Sequence, residues 1–265
     1  MSNACPSNPD GGTPSRFQRL QNEHFAQADE PKFRWQTTDP YMARTERDLL
    51  ARVPVGRTDR LLEVGCGEGG NLKLMETGAA GAVGVDYSCA KVRWASRHVG
   101  HGRFVCADGH RLPFRNEMFD VILCRDVLHH VEDKRAVVNE LVRVCRASGR
   151  IVIIEPNGRS PIMWLLGMLV RAERDLAQNS LRRVLALLDR RQVAEPDVIL
   201  AQPFPIGRVM FHYRWGLSLL SARLAGVVLT AERIIGRLVA TDRWAYMIVT
   251  AVKIAADKPA MEESL

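Results

Sequence analysis

Apolar residues change their rhythm twice along the chain. Between residues 60 and 156 they come as short runs: RLLEVG, AVGVD (82–86), RFVCAD (103–108), FDVILC (119–124) and RIVIIEP (150–156). Each has the length of a buried strand, and the intervals at about 68–78, 88–98 and 133–146 carry helical spacing. Short apolar strands alternating with helices predict a parallel sheet covered on both faces. Ahead of them, PYMARTERDLLARV (40–53) predicts a helix with Pro in its first turn and Met42, Leu49, Leu50 and Val53 at helical spacing. After Pro156 the alternation stops. Residues 161–191 read as one long helical stretch and 199–212 as a Pro-rich, strand-like section. Leu217, Leu220, Leu224, Val227, Ala231, Ile234 and Leu238 then recur as the stripe of a second amphipathic helix, and WAYMIVTAVKI (244–254) reads as a closing strand.

This pattern divides the chain into a polar leader (1–16), an N-terminal helical cap (17–57), an α/β core (58–158), a mainly helical lid with a strand-like section (159–240), a C-terminal edge strand (241–256) and a tail (257–265). The leader is rich in Gly, Pro and Ser and has no apolar segment of the secretory kind. The apolar run at 161–170 is about half a bilayer span, and Arg223 interrupts the later one, so neither is expected to cross a membrane. Cysteines at 5, 66, 89, 106, 124 and 145 form no CxxC pair, which suggests neither a zinc site nor a disulfide framework, and points to a reducing cytoplasm. The net charge of +7 is uneven: residues 156–265 hold fifteen basic and ten acidic side chains. That excess suits an acidic ligand, nucleic acid or an anionic membrane surface.

The chemistry concentrates in LLEVGCGEGGN (61–71). A strand, a bare turn and a helix bring backbone close to a ligand. Gly65, Gly67 and Gly70 fit the dinucleotide spacing G-x-G-x-x-G, while Glu63, Gly65, Gly67 and Gly69 fit a nucleoside-sulfonium spacing, E-x-G-x-G-x-G. Asp86, at the next strand end, can accept the hydroxyls of an adenosine ribose in either case. Glu63 separates the two, since a carboxylate there suits an ammonium and a sulfonium and suits a pyrophosphate badly. Asp108, in CADGHRLPF, can accept from an adenine amino group.

LLEVGCGEGG, VGVDYS, CADGHRLPFRNEMFDVILCRDVLHHV and ELVRVCRASGRIVIIEPN, in this order over about 58–158, resemble the successive motifs of class I S-adenosylmethionine-dependent methyltransferases of the small-molecule, type 11-like group. The resemblance implies a Rossmann-like, doubly wound, seven-stranded sheet with the last strand antiparallel and a lid after strand five. It implies S-adenosylmethionine as cofactor and S-adenosylhomocysteine as product. Glu63, Gly65, Cys66, Gly67 and Gly69 would surround the methionine end, Asp86 and Tyr87 the ribose, and Asp108 and Gly109 the adenine, with Arg125 shaping the pocket. Two positions depart from the family's habit: Arg146–Arg150 reads RASGR where K-P-G-G is common, and Arg125 stands where a small residue is usual.

Methyl transfer asks first for alignment of donor and acceptor, and for a base only when the acceptor arrives protonated. His129 and His130, just past the fourth strand, and Glu155, at the end of the fifth with Asn157, are the candidate bases; His212, Tyr213 and Trp215 could reach the same rim. SLRRVLALLDRR (180–191) sets Leu181, Val184, Leu185 and Leu188 against four arginines, as in a lid over an apolar pocket or a helix on an anionic membrane. The expected acceptor is a small hydrophobic, aromatic or lipid-like molecule, methylated at oxygen, with carbon as the rival. Nucleic acid is disfavoured, because the turn Arg125–Leu128 has neither proline nor a stacking aromatic. A different class, a partner subunit that has lost catalysis, has no use for all three acids at 63, 86 and 108.

Overall fold

The computed structural model describes residues 23, 25, 27–75, 81–170, 176–214 and 217–255. The expected leader (1–16), the tail (257–265) and Trp215 lie outside the described residues. Seven strands form one sheet in the order β3-β2-β1-β4-β5-β7-β6. These are β1 (Arg60–Val64), β2 (Gly81–Asp86), β3 (Arg103–Cys106), β4 (Phe119–Arg125), β5 (Cys145–Pro156), β6 (Asp197–Ala201) and β7 (Tyr246–Val252). The first five run parallel, β7 runs antiparallel to β5, and β6 antiparallel to β7. The WAYMIVTAVKI segment is therefore an inner strand, and β6 takes the edge.

The nine helices among the described elements are α1 (Glu30–Thr38), α2 (Pro40–Leu50), α3 (Gly70–Met75), α4 (Cys89–His98), α5 (Lys134–Val144), α6 (Pro161–Leu169), α7 (Leu181–Leu185), α8 (Gly207–Met210) and α9 (Ser218–Gly236). Several of them start on a side-chain cap: Asp39 accepts from the amides of Tyr41 and Met42, Ser88 from Lys91 and Asp133 from Ala136. Both sheet faces are covered. Ile151 and Ile153 pack with Leu62, Ile122 and Leu141 on one side, while Val152 and Ile154 pack with Leu61, Leu123 and Leu49 on the other. All parallel strands end at one rim, where loops of an α/β sheet collect ligands.

Beyond the edge strand, two expectations need correction. Residues 161–191 are not one helix: α6 ends at Leu169, and among the described residues 176–191 only Leu181–Leu185 is α-helical. The second amphipathic helix is α9, and its apolar stripe faces solvent, whereas Ser221, Ala225, Val228, Glu232 and Gly236 are buried. Finally, Cys89 and Cys106 form a disulfide with Cα atoms 5.0 Å apart. Parallel pairing sets Asp86 beside Cys106, so the first turn of α4 returns Cys89 to the end of β3, a proximity that motif spacing does not reveal. Cys66, Cys124 and Cys145 are free and buried. No described helix is long and apolar enough to cross a membrane.

Candidate active site

The β1 tip delivers Glu63 into a place with no exposure at all. Its Oε1 accepts from Asn71 Nδ2 at 2.6 Å, and its Oε2 is buried without a hydrogen-bond partner. Burial pushes the carboxyl up to about 7, opposed by the Asn71 hydrogen bond and the Arg125 charge. The turn beyond it relies on left-handed backbone, with φ of +79° at Gly65, +53° at Gly67 and +79° at Gly69. A Cβ at Gly65 would stand 2.1 Å from Val127 Cγ2, so the glycine turn and the loop after β4 touch there; one at Gly67 would meet nothing within 4 Å. Asp86, at the β2 tip, accepts from the amides of Gly67 (2.9 Å) and Ser88 (2.8 Å), and burial raises its carboxyl although Lys91 lies near.

Tyr87 follows Asp86, half-buried, and Cys66 is buried inside the turn, where burial holds its thiol well above the ordinary range. Asp108 and Gly109 come after β3. Asp108 Oδ1 accepts from the amide of His110 (2.9 Å) and from its Nδ1 (2.6 Å), which lowers the Asp108 carboxyl and raises the His110 imidazole. The cap reaches the same place from outside: Asp29 N donates to Glu68 Oε1 (2.8 Å), and Lys91 Nζ lies 3.7 Å from Glu68 and 4.7 Å from the Phe25 ring centre.

Arg125 does not open onto the cleft. It is 4% exposed, donates from Nη1 to Asn71 Oδ1 at 2.9 Å, and pairs with Glu46 of α2, which also pairs with Arg208. Arg125 thus acts on Glu63 through Asn71, and its size is explained by the cap it anchors. The next residue carries a further acid at this rim. Asp126 has φ +53°, rare for a residue with a side chain, keeps 37% of that side chain exposed, and sets its Oδ2 3.3 Å from Arg125 Nε. An acid directly after the fourth parallel strand is the signal that would have found it.

The expected bases divide. Glu155 has no exposure and accepts four hydrogen bonds, from the amides of Val127 (3.0 Å) and Leu128 (2.8 Å), from His129 Nδ1 (2.7 Å) and from Asn179 Nδ2 (3.0 Å). It holds the loop in shape, and His129, 5% exposed, is held with it. His130 is half-buried, its ring centre 3.8 Å from that of His129 and 4.8 Å from Phe25. Asn157 ties the chain elsewhere, donating to the carbonyls of Asp242 and Trp244. His212 is buried against Trp35 and Tyr213, and burial lowers its imidazole to about 4, while Tyr213 donates to Asp29.

Residues 62–153 match a family model described as a methyltransferase domain, and the Rossmann-like sheet is shared with solved methyltransferase structures. Demethylmenaquinone methyltransferase of Mycobacterium marinum is 31% identical over 120 residues, 44% of this chain and 48% of that protein. The 27-O-demethylrifamycin SV methyltransferase of Amycolatopsis mediterranei is 30% identical over 124 residues, 44% of this chain and 46% of that protein. A structure of geranyl diphosphate methyltransferase with GPP and sinefungin aligns at TM-score 0.61 and 17% identity, over 90% of this chain and 99% of that one. The chain spans about half the length of the curated relatives it matches.

Proposed function

We propose that this protein transfers a methyl group from S-adenosylmethionine to a small hydrophobic, aromatic or lipid-like acceptor, with oxygen as the methylated atom. The observation that carries the reading is the Glu63 carboxylate, buried with one oxygen unpartnered beside a turn whose Gly67 faces open space. A buried lone carboxylate is expensive unless a cation completes it, so the residues fit a cofactor with an ammonium group. Bound there, S-adenosylmethionine would supply a methyl group on a sulfonium, whose departure as a neutral thioether needs no acid. Glu63 would hold the ammonium, Asp86 the ribose hydroxyls and Asp108 the adenine edge. Asn71 and Arg125 would keep Glu63 oriented.

On the acceptor side, Asp126 and His130 stand on the loop that touches Gly65, while Glu155 and His129 make that loop rigid. Rigid placement of the acceptor supplies most of the rate in a displacement of this kind. Asp126 offers a part-exposed carboxylate beside the glycine turn, where it can take a proton from an acidic acceptor. Oxygen is favoured by the rifamycin relative, and carbon, the second reading, by the demethylmenaquinone relative. Comparison of metabolites from cells with and without the protein tests the proposal. One compound should lack a methyl in the deletion strain and regain it with the wild-type chain, but not with Asp86→Ala. An unchanged metabolite profile together with no turnover of S-adenosylmethionine would refute it.

A further inference from the structure

Helix α9 packs one face on the other described elements and leaves a second, apolar face exposed. Its inner face packs on the cap and α8: Ser221 Oγ donates to Asp39, Tyr41 Oη and the Gly207 amide both donate to Glu232 Oε1, and Ala225 and Val228 join Tyr41, Met42 and Phe211. Outward, Val227 is 68% exposed and Ile234 59%, with Leu219 at 91% near the start and Leu238 at 88% just past the end. At the helical angle of about 100° per residue, Leu220, Leu224, Val227, Ala231 and Ile234 share an arc roughly 80° wide. Arg223 borders that arc, and Arg237 and Arg233 follow round the same exposed flank, roughly 60° and 100° beyond it. The helix has a single acid, Glu232, and it is buried on the other face. None of the ion pairs found among the described residues uses those three arginines.

A continuous apolar stripe of this size is not the scattered exposure of an ordinary surface. An apolar face bordered by arginine is the pattern of a helix lying in a membrane interface. We propose that α9 docks the protein on a lipid surface bearing anionic headgroups, its outward leucine, valine and isoleucine side chains entering the headgroup boundary and Arg223, Arg233 and Arg237 meeting the phosphates. The charge selects this occupant over a second copy of the chain, since two such faces brought together would add cations with no exposed carboxylate on the helix to offset them. Because α9 grips α2, and α2 carries the Glu46 that pairs with Arg125, a docked helix would set the cap of the cleft close to the lipid.

Sedimentation of the full chain with vesicles tests this without cofactor or acceptor, so its outcome is independent of the reading of the cleft. Phosphatidylcholine vesicles should leave the protein in solution, and vesicles with about a third phosphatidylglycerol should pellet it, less so in high salt. A double Val227→Asp, Ile234→Asp variant should stay in solution with both, at unchanged melting temperature, because both side chains are exposed. Each arginine near the surface contributes about five-fold, so a triple Arg223→Gln, Arg233→Gln, Arg237→Gln variant should bind roughly 100-fold more weakly. Absence of pelleting with the anionic vesicles, or equal pelleting of the variants, overturns the proposal. So does a lipid-free dimer that the Val227→Asp, Ile234→Asp variant dissolves, which would assign the stripe to a second copy.

Discussion

Replacing Glu63 by Gln keeps the shape of the β1 tip and removes its charge. In the wild type, burial lifts this carboxyl from the ordinary 4.5 to about 7. With the folded value above the unfolded one, the folded chain keeps the proton longer, so stability falls as pH rises from about 4.5 to about 7 and is level above that. The shift corresponds to roughly 3 kcal/mol. Glu63→Gln should therefore be the more stable chain at about pH 8, by up to that amount. Binding runs the other way. A ligand ammonium needs the ionised carboxylate, so wild-type affinity for S-adenosylhomocysteine should rise about ten-fold between roughly pH 6 and pH 8, whereas that of Glu63→Gln stays level. At about pH 8 the variant should bind roughly 10- to 100-fold more weakly, the worth of a charged hydrogen bond. Near pH 5.5 the gap should shrink to about a few-fold. Titration calorimetry across this range, with urea melts alongside, reads both effects. Wild-type affinity that ignores pH, or a variant that binds equally well at pH 8, would refute the assignment of Glu63 to the ammonium.

Glu46→Gln removes the carboxylate shared by the buried Arg125 and Arg208, and thermal melts should register a loss of about 3–5 kcal/mol. Although burial opposes it, the two guanidiniums hold Glu46 below its ordinary 4.5, so the same stability should be present in the wild type above that pH and fade as acid protonates the group. The Cys89–Cys106 bridge closes a separation of 17 residues, and its reduction should cost about 3 kcal/mol. Thiol titration of the denatured, unreduced chain should then count four reactive groups among the six cysteines, and six would disprove the bridge.

Strands β1, β4 and the second half of β5 were legible as short apolar runs buried on both faces, and β2 and β3, less buried toward the sheet edge, from their place in the same alternation. The outward stripe of α9 was legible as a stripe but not as a surface. Periodicity tells which residues share a face, and only the polar contacts of Ser221 and Glu232 with Asp39 and Tyr41 show which face the fold uses. The long helix expected at 161–191 failed for a related reason, since Arg and Leu at helical spacing continue through turns that the spacing cannot mark. Around the cleft, the acids at 63, 86 and 108 could be named from their places at strand ends. Arg125 could not be resolved that way, because its partner Glu46 is 79 positions away in the chain and comes near only when the cap folds over. Glu155 was visible as an acid on the right rim, yet its four donors come from a loop and from Asn179, and they fix it as a brace.

Calorimetric titration of the purified chain with S-adenosylhomocysteine tests most directly whether the glycine turn and its flanking acids hold a sulfur nucleoside. One equivalent should bind with an affinity on the order of micromolar, and Asp86→Ala should abolish it while leaving the chain folded. Silence toward that ligand, with saturable heat from a nicotinamide dinucleotide, would contradict the account.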